Sequence, residues 1–69
     1  MRRRRTTEND RIGHLFAIAT ARLEDAHMIA VAGQSPHLTT AQQLPLQRRL
    51  LKAIERCREA AERIAAAGD

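Results

Sequence analysis

The stretch from Leu46 to Ala67 most constrains how this chain can fold. Its apolar residues recur every three or four positions and, at about 100° per residue, form one stripe roughly 140° wide. The stripe contains Leu46, Leu50, Ala53, Ile54, Cys57, Ala60, Ala61, Ile64 and Ala65. This period predicts an amphipathic helix with one apolar face, which needs a second helix to cover it.

Charged residues repeat along both sides of this stripe. Arg49, Arg56 and Arg63 recur every seven residues on one flank, and Glu55 and Glu62 repeat at the same spacing on the opposite polar side. Seven-residue charge repeats beside an apolar stripe are typical of helices that pack against other helices. The pattern therefore favours a helical bundle.

A first amphipathic helix is predicted upstream, over about residues 8–32. Thr7 is its expected N-cap, and Asp10 approximates the second half of a capping box. Gly13 indicates either a close backbone approach or a tolerated weakness, and Gly33 is expected to end the helix in the left-handed conformation. The apolar face is formed by Ile12, Leu15, Phe16, Ala19, Leu23, Ala26 and Ala30, with Ile18 and Ile29 widening it on one side.

The connection over residues 33–44 offers two starts for the second helix. Thr40 with Gln43 makes a capping box, but this start puts Pro45 at the fifth helical position, where its ring clashes with a carbonyl one turn back. A start at Pro45 removes the conflict. We therefore predict helix two over about 45–67, after an irregular segment with room for a helical turn near 37–43.

Two helices of matched length, about 37 and 35 Å, joined by one connection predict an all-α antiparallel hairpin. A chain of 69 residues rarely builds a core worth more than about 3 to 5 kcal/mol, so it needs a further source of stability. Cys57 is alone, which excludes an internal disulfide, and the three histidines lack the spacing of a metal site. Self-association is the remaining source of the additional stability.

A lone hairpin is expected to leave one side of helix one, around Ile18 and Ile29, in water. Pairing of two hairpins into a homodimeric four-helix bundle would cover it. The predicted core and dimer interface consists of Ile12, Phe16, Ile18, Ala19, Leu23, Ala26, Ile29, Leu50, Ile54, Cys57, Ala61 and Ile64.

The net charge of +4 comes entirely from Arg2–Arg5, because the other eight Lys and Arg are balanced by eight Asp and Glu. Consecutive arginines repel one another, so residues 1–6 are predicted to be a disordered arm. The arm is either a solubilising tail or a site for nucleic acid, anionic lipid or another anionic partner. The candidate anion-binding or nucleic-acid-binding residues are Arg2, Arg3, Arg4, Arg5, Arg49, Lys52, Arg56 and Arg63.

In a dimer, the row of basic residues on helix two is predicted to form a ridge for an RNA backbone or an acidic protein, and the alternative is a solvated flank. There the charges would be taken up by helix-surface pairs such as Arg58 with Glu62 and Glu59 with Arg63. In size and layout only, the chain resembles small plasmid-type regulators that are dimeric helical hairpins and bind RNA. No motif accompanies this resemblance, and no residue role is carried over from it.

Four further features have two interpretations each. His14 and His27 suit a phosphotransfer site or a plain surface, and no sequence neighbour supplies an oriented acid or base. Cys57 is either a small core residue or a reactive or intersubunit thiol. His37 either caps or does nothing. The residues that lie off both stripes, Met28, Val31 and Leu51, form an exposed patch or are covered by the second subunit or the loop.

The leading functional hypothesis is a non-enzymatic, cytoplasmic regulatory or adaptor protein. It would act as a homodimeric bundle that offers one face to a protein partner, with no cofactor and no metal. The alternative is a nucleic-acid-binding regulator that uses the arginine arm and the basic flank of helix two. Phe16 is the single aromatic residue, so base-stacking platforms are lacking, and no apolar run is long enough to span a membrane.

Overall fold

Two helices make up the part of the protein that the structure describes. The computed structural model describes the backbone of residues 2–68 and the side chains of residues 10–68. Helix α1 covers Arg2–Ala32 and helix α2 covers Thr40–Gly68, and the part described contains no strand. The helices pack against each other, and the molecule measures 58 × 17 × 10 Å. The predicted all-α helical hairpin is confirmed.

Helix α1 begins at Arg2, ahead of the predicted start near residue 8. Thr7 therefore lies inside the helix rather than at its N-cap, and residues 2–6, which were assigned to a separate arm, have helical backbone. No Gly or Pro precedes Gly13, and Arg is a good helix former, so nothing in the sequence stops the helix upstream. The side chains of Arg2–Arg5 lie outside the described residues, and anion binding by them stays a prediction.

Helix α2 begins at Thr40, five residues before the predicted start. Thr39 is the N-cap: its Oγ1 accepts from the Gln42 N–H at 3.2 Å, and Gln42 Oε1 accepts from the Thr39 N–H at 2.9 Å. This reciprocal capping box satisfies two backbone donors one turn ahead of Pro45. Pro45 lies within the helix and cannot donate to the carbonyl of Ala41. The start is therefore set by Thr39, one residue before the capping box considered from sequence, and not by Pro45.

Helix α1 ends in a tightened last turn. The Gly33 N–H donates to Ile29 O at 3.1 Å, and the Gln34 N–H donates to Val31 O at 3.0 Å, a bond of the 3₁₀ type. No described glycine has a positive φ, so the left-handed conformation expected for Gly33 is wrong. At Gly13 an added Cβ would meet nothing within 4 Å, so this glycine is a weak point of the helix and not a close approach.

The contact between the helices is built on alanine. Among side chains 10–68 the buried ones are Ala53 and Ala60, at 7% and 5% exposure. Small side chains let two helices approach near the low end of the usual spacing of about 8 to 10 Å. The facing side of α1 is half-buried and consists of Ile12, Leu15, Ile18, Ala19, Arg22, Ala26, Ile29 and Ala30. The hairpin thus lacks a core of large apolar side chains.

Candidate functional site

A groove with basic walls follows one side of the contact between α1 and α2. We call it the basic groove; its volume is about 360 Å³. Four of its side chains are cations and one is a carboxylate, while Met28, Ile29 and Ala53 give it an apolar floor. It is lined by Arg22, Asp25, Met28, Ile29, Arg49, Lys52, Ala53 and Arg56. A site of this kind suits an anionic partner that also carries apolar groups.

A second hollow lies near the end of the hairpin that is away from the connection between the helices. It is lined by Arg11, His14 and Leu15 of α1 and by Arg63, Ala66 and Ala67 of α2. On α2, Arg63 follows Arg49 and Arg56 at the seven-residue spacing, so the three arginines lie on the same flank, over about 21 Å of helix. The structure therefore brings together Arg49, Lys52, Arg56 and Arg63, four of the predicted anion-binding residues.

The cations of the basic groove are available to a partner. The ion pairs among the described side chains are Arg58 Nη2 with Glu55 Oε1 at 3.3 Å and Arg58 Nε with Glu62 Oε2 at 3.7 Å. The predicted Arg58–Glu62 pair is confirmed, whereas the predicted pair of Glu59 with Arg63 does not form. Within residues 10–68, no carboxylate lies within 4 Å of a charged nitrogen of the groove's Arg and Lys residues, so their charge is not neutralised locally.

The opposite side of the hairpin carries an apolar face. On α1, Phe16 and Leu23 lie seven residues apart on the flank of the contact stripe away from the basic groove, and they are 55% and 58% exposed. On α2, Ile54 and Ala61 lie seven residues apart on the flank away from the arginine row, and Ile54 is 52% exposed. We call these four residues the apolar face. Three of them, Phe16, Leu23 and Ile54, are large apolar side chains that nothing within residues 10–68 of a monomer covers.

The apolar face corrects one prediction. The side of α1 expected to remain in water was the one around Ile18 and Ile29, yet both are half-buried against α2. The apolar surface of α1 is too wide for one neighbour, and α2 covers the side that includes Ile18 and Ile29, leaving Phe16 and Leu23 open. The other predicted interface residues are half-buried within the hairpin: Ile12, Ala19, Ala26, Leu50, Cys57 and Ile64.

The remaining candidates are scattered. His14 lies at the second hollow, while His27 and His37 are exposed elsewhere, and no three His, Cys, Asp or Glu side chains of the described part come together as metal ligands. Cys57 is a half-buried free thiol on the contact side of α2. Of the off-stripe apolar residues, Val31 and Leu51 are simply exposed and Met28 belongs to the basic groove.

Sequence reasoning missed the contribution of α1 to the basic groove. Arg22 and Asp25 are not part of any regular charge repeat, and only the register between the helices brings them beside Arg56 and Ala53. That register depends on where the connection ends, and the cap at Thr39 was not foreseen. No signal in the sequence alone could have joined these residues to the arginine row.

Comparison of the chain with protein-family models, with curated proteins and with solved structures finds no match. Neither described helix has an apolar segment long enough to cross a bilayer. The two opposite faces of the hairpin are therefore the features that bear on its function.

Proposed function

We propose that this chain is a small, non-enzymatic regulatory or adaptor protein that works as a homodimer. Two hairpins would pair through their apolar faces into a four-helix bundle, and the opposite side of each hairpin would receive a protein partner. The observation that carries the proposal is the poor core: the buried side chains of the described part are two alanines, while Phe16, Leu23 and Ile54 are more than half exposed.

Surface area supports the pairing. The chain exposes 6051 Å², whereas a compact monomer of 7.7 kDa exposes about 4,300 Å². The excess is roughly 1,700 Å² per chain, or about 3,400 Å² for two chains, which exceeds the roughly 1,600 Å² of a standard interface and falls in the range of about 2,000 to 5,000 Å² that obligate homodimers bury in total. The radius of gyration, 16.6 Å against about 11 Å for a compact chain of this length, agrees with an incomplete core.

The arrangement of the apolar face also supports a bundle. In the register of the hairpin, Phe16 lies at about the same height as Ala61, and Leu23 at about the same height as Ile54. The two layers are about 10.5 Å apart, the length of seven helical residues. In a four-helix bundle, facing helices pack through side-chain layers that repeat at this spacing.

Sedimentation equilibrium tests the proposal. The wild-type chain should be a dimer whose mass does not change between low and high salt, because apolar contacts are not screened. Ile54→Glu should raise the dimer dissociation constant by about 100-fold or more, since burial of an Ile is worth roughly 1.5 to 3 kcal/mol and the substitution occurs twice in the dimer. Ala17→Glu is the control, because Ala17 is exposed on the side of α1 away from α2 and lies off the apolar face.

A monomeric wild type would contradict the proposed dimer, and equal effects of the two substitutions would contradict the assignment of the interface to the apolar face. The proposal also includes a reducing, cytoplasmic setting, which is supported by Cys57 being the single cysteine.

Nucleic-acid binding is the second candidate function, favoured by the arginine row that borders the basic groove. Full engagement of Arg2–Arg5 with duplex DNA would give a slope of about −3.6 in log affinity against log salt. Removal of residues 1–5 should then weaken binding and flatten this slope. Absence of binding at low salt, or binding that salt does not affect, would contradict this candidate.

A further inference from the structure

We propose that the basic groove binds one acidic amphipathic helix of a protein partner. The inference rests on the proposed function in one respect: it names the site and the chemistry of the partner that the bundle receives. The groove lies on the side of the hairpin opposite the apolar face, so it stays open when two copies pair.

The positive charge of the basic groove favours an acidic partner. The groove contains Arg22, Arg49, Lys52 and Arg56 against the single carboxylate of Asp25. Within residues 10–68 none of these cations has a carboxylate partner, whereas Arg58 on the outer side of α2 has two. Carboxylates of a partner would supply the missing counter-charges.

The seven-residue spacing of the arginines on α2 favours a helical partner. Arg49, Arg56 and Arg63 are spaced by seven residues, about 10.5 Å apart along the axis. A partner helix that lies along the groove with an acidic residue at every seventh position meets this spacing without distortion, in the way that flanking charges pair in coiled coils. The whole row, about 21 Å long, needs roughly 14 residues of such a helix.

The floor of the groove favours a protein over a nucleic acid. Met28 is exposed there and Ile29 and Ala53 lie beside it. Apolar side chains between the acidic positions of a helix would cover these residues, which is the usual way an amphipathic helix docks in a groove. A phosphate backbone would leave Met28 without an apolar contact and would face the carboxylate of Asp25.

The test uses a labelled synthetic amphipathic helix of about 20 residues, with Glu at every seventh position, Leu on the adjoining stripe and Gln and Ala on the opposite face. A second peptide has the same composition with the Glu residues at irregular intervals, and a third probe is an RNA duplex. Fluorescence anisotropy at about 0.15 M salt measures binding of each probe to the full chain. The matched peptide should bind roughly tenfold more tightly than the irregular one.

Charge reversals locate the site. R56E should weaken binding of the matched peptide by about fivefold or more. The control R48E makes the same change in net charge on the outer side of α2 and should change the affinity by less than about twofold. Met28→Ser should weaken binding of the peptide and leave binding of the RNA duplex unchanged. All three positions are exposed and neither arginine forms an ion pair within residues 10–68, so helicity at 222 nm should be retained.

Three results would overturn the inference: no binding of the matched peptide at about 1 mM, equal loss in the two charge reversals, or tighter binding of the RNA duplex than of the matched peptide at the same salt. Sedimentation of the same samples separates the two proposals. A dimer that does not bind the peptide would overturn only the proposal that the basic groove binds a helix. A monomer that binds the peptide would overturn only the proposed dimer, because one chain contains the whole groove.

Discussion

Replacement of Ala60 by Leu tests whether the two helices meet as closely as the structure indicates. Ala60 is 5% exposed and lies on the side of α2 that packs against α1. A Leu there adds three carbons where no space is left, so the helices must separate or the side chain must leave its preferred rotamer. Overpacking of this kind costs about 1 to 3 kcal/mol.

The expected thermal effect follows from the length of the chain. For a domain of 60 to 100 residues, 1 kcal/mol shifts Tm by roughly 4 to 8 °C, so Ala60→Leu should lower Tm by between about 4 and 24 °C. Circular dichroism at 222 nm measures this, with all variants at one protein concentration because Tm of a dimer depends on it. Ala17→Leu is the control, since Ala17 is exposed on the side of α1 away from α2.

An unchanged or raised Tm for Ala60→Leu, with the control also unchanged, would refute the close approach of the helices. Ala53→Leu should repeat the result one heptad away, because Ala53 is the other buried side chain of the described residues.

Three further substitutions probe the helices themselves by the same thermal assay. Gly13→Ala should stabilise the protein by about 1 kcal/mol, because the new Cβ meets no atom within 4 Å, and a loss of stability would reveal a contact there. Thr39→Ala should cost about 1 kcal/mol through loss of the N-cap, whereas Thr40→Ala should cost little; the reverse order would contradict the observed cap. Pro45→Ala should stabilise α2 by about 1 to 3 kcal/mol by restoring a donor to the carbonyl of Ala41, and no gain would mean that the helix begins later than Thr40.

The sequence predicted the class of fold well because periodicity is a property of the chain itself. The stripe from Leu46 to Ala65 and the upstream apolar face needed only the helical repeat to be read as two helices that pack together. The ends of the helices were harder, since they depend on which of several competing caps forms. Thr39 and Gln42 form a capping box one residue away from the Thr40 and Gln43 pair considered from sequence. Because this cap forms ahead of Pro45, α2 begins five residues before the predicted start and gains more than one turn.

The candidate site was predicted only in its α2 half. The repeat of Arg49, Arg56 and Arg63 was visible in the sequence, whereas the part of Arg22 and Asp25 depends on how the two helices are aligned. The same alignment decides which flank of a wide apolar surface is covered. In this alignment Ile29 contacts α2 and Phe16 stays exposed. The two flanks have similar hydrophobicity, so the sequence pattern could not predict which of them is covered.

The opposite placement of the two faces has a consequence for valence. In the proposed dimer, the apolar faces meet at the centre and the two basic grooves point outward in opposite directions. Two partner helices would then be held on either side of the bundle, too far apart for two acidic segments joined by a short linker to occupy both grooves of one dimer. Such a dimer would connect two separate partner molecules rather than bind one partner through both grooves. When the dimer is in excess over the partner, each partner molecule would instead be bound by its own dimer and no bridge would form.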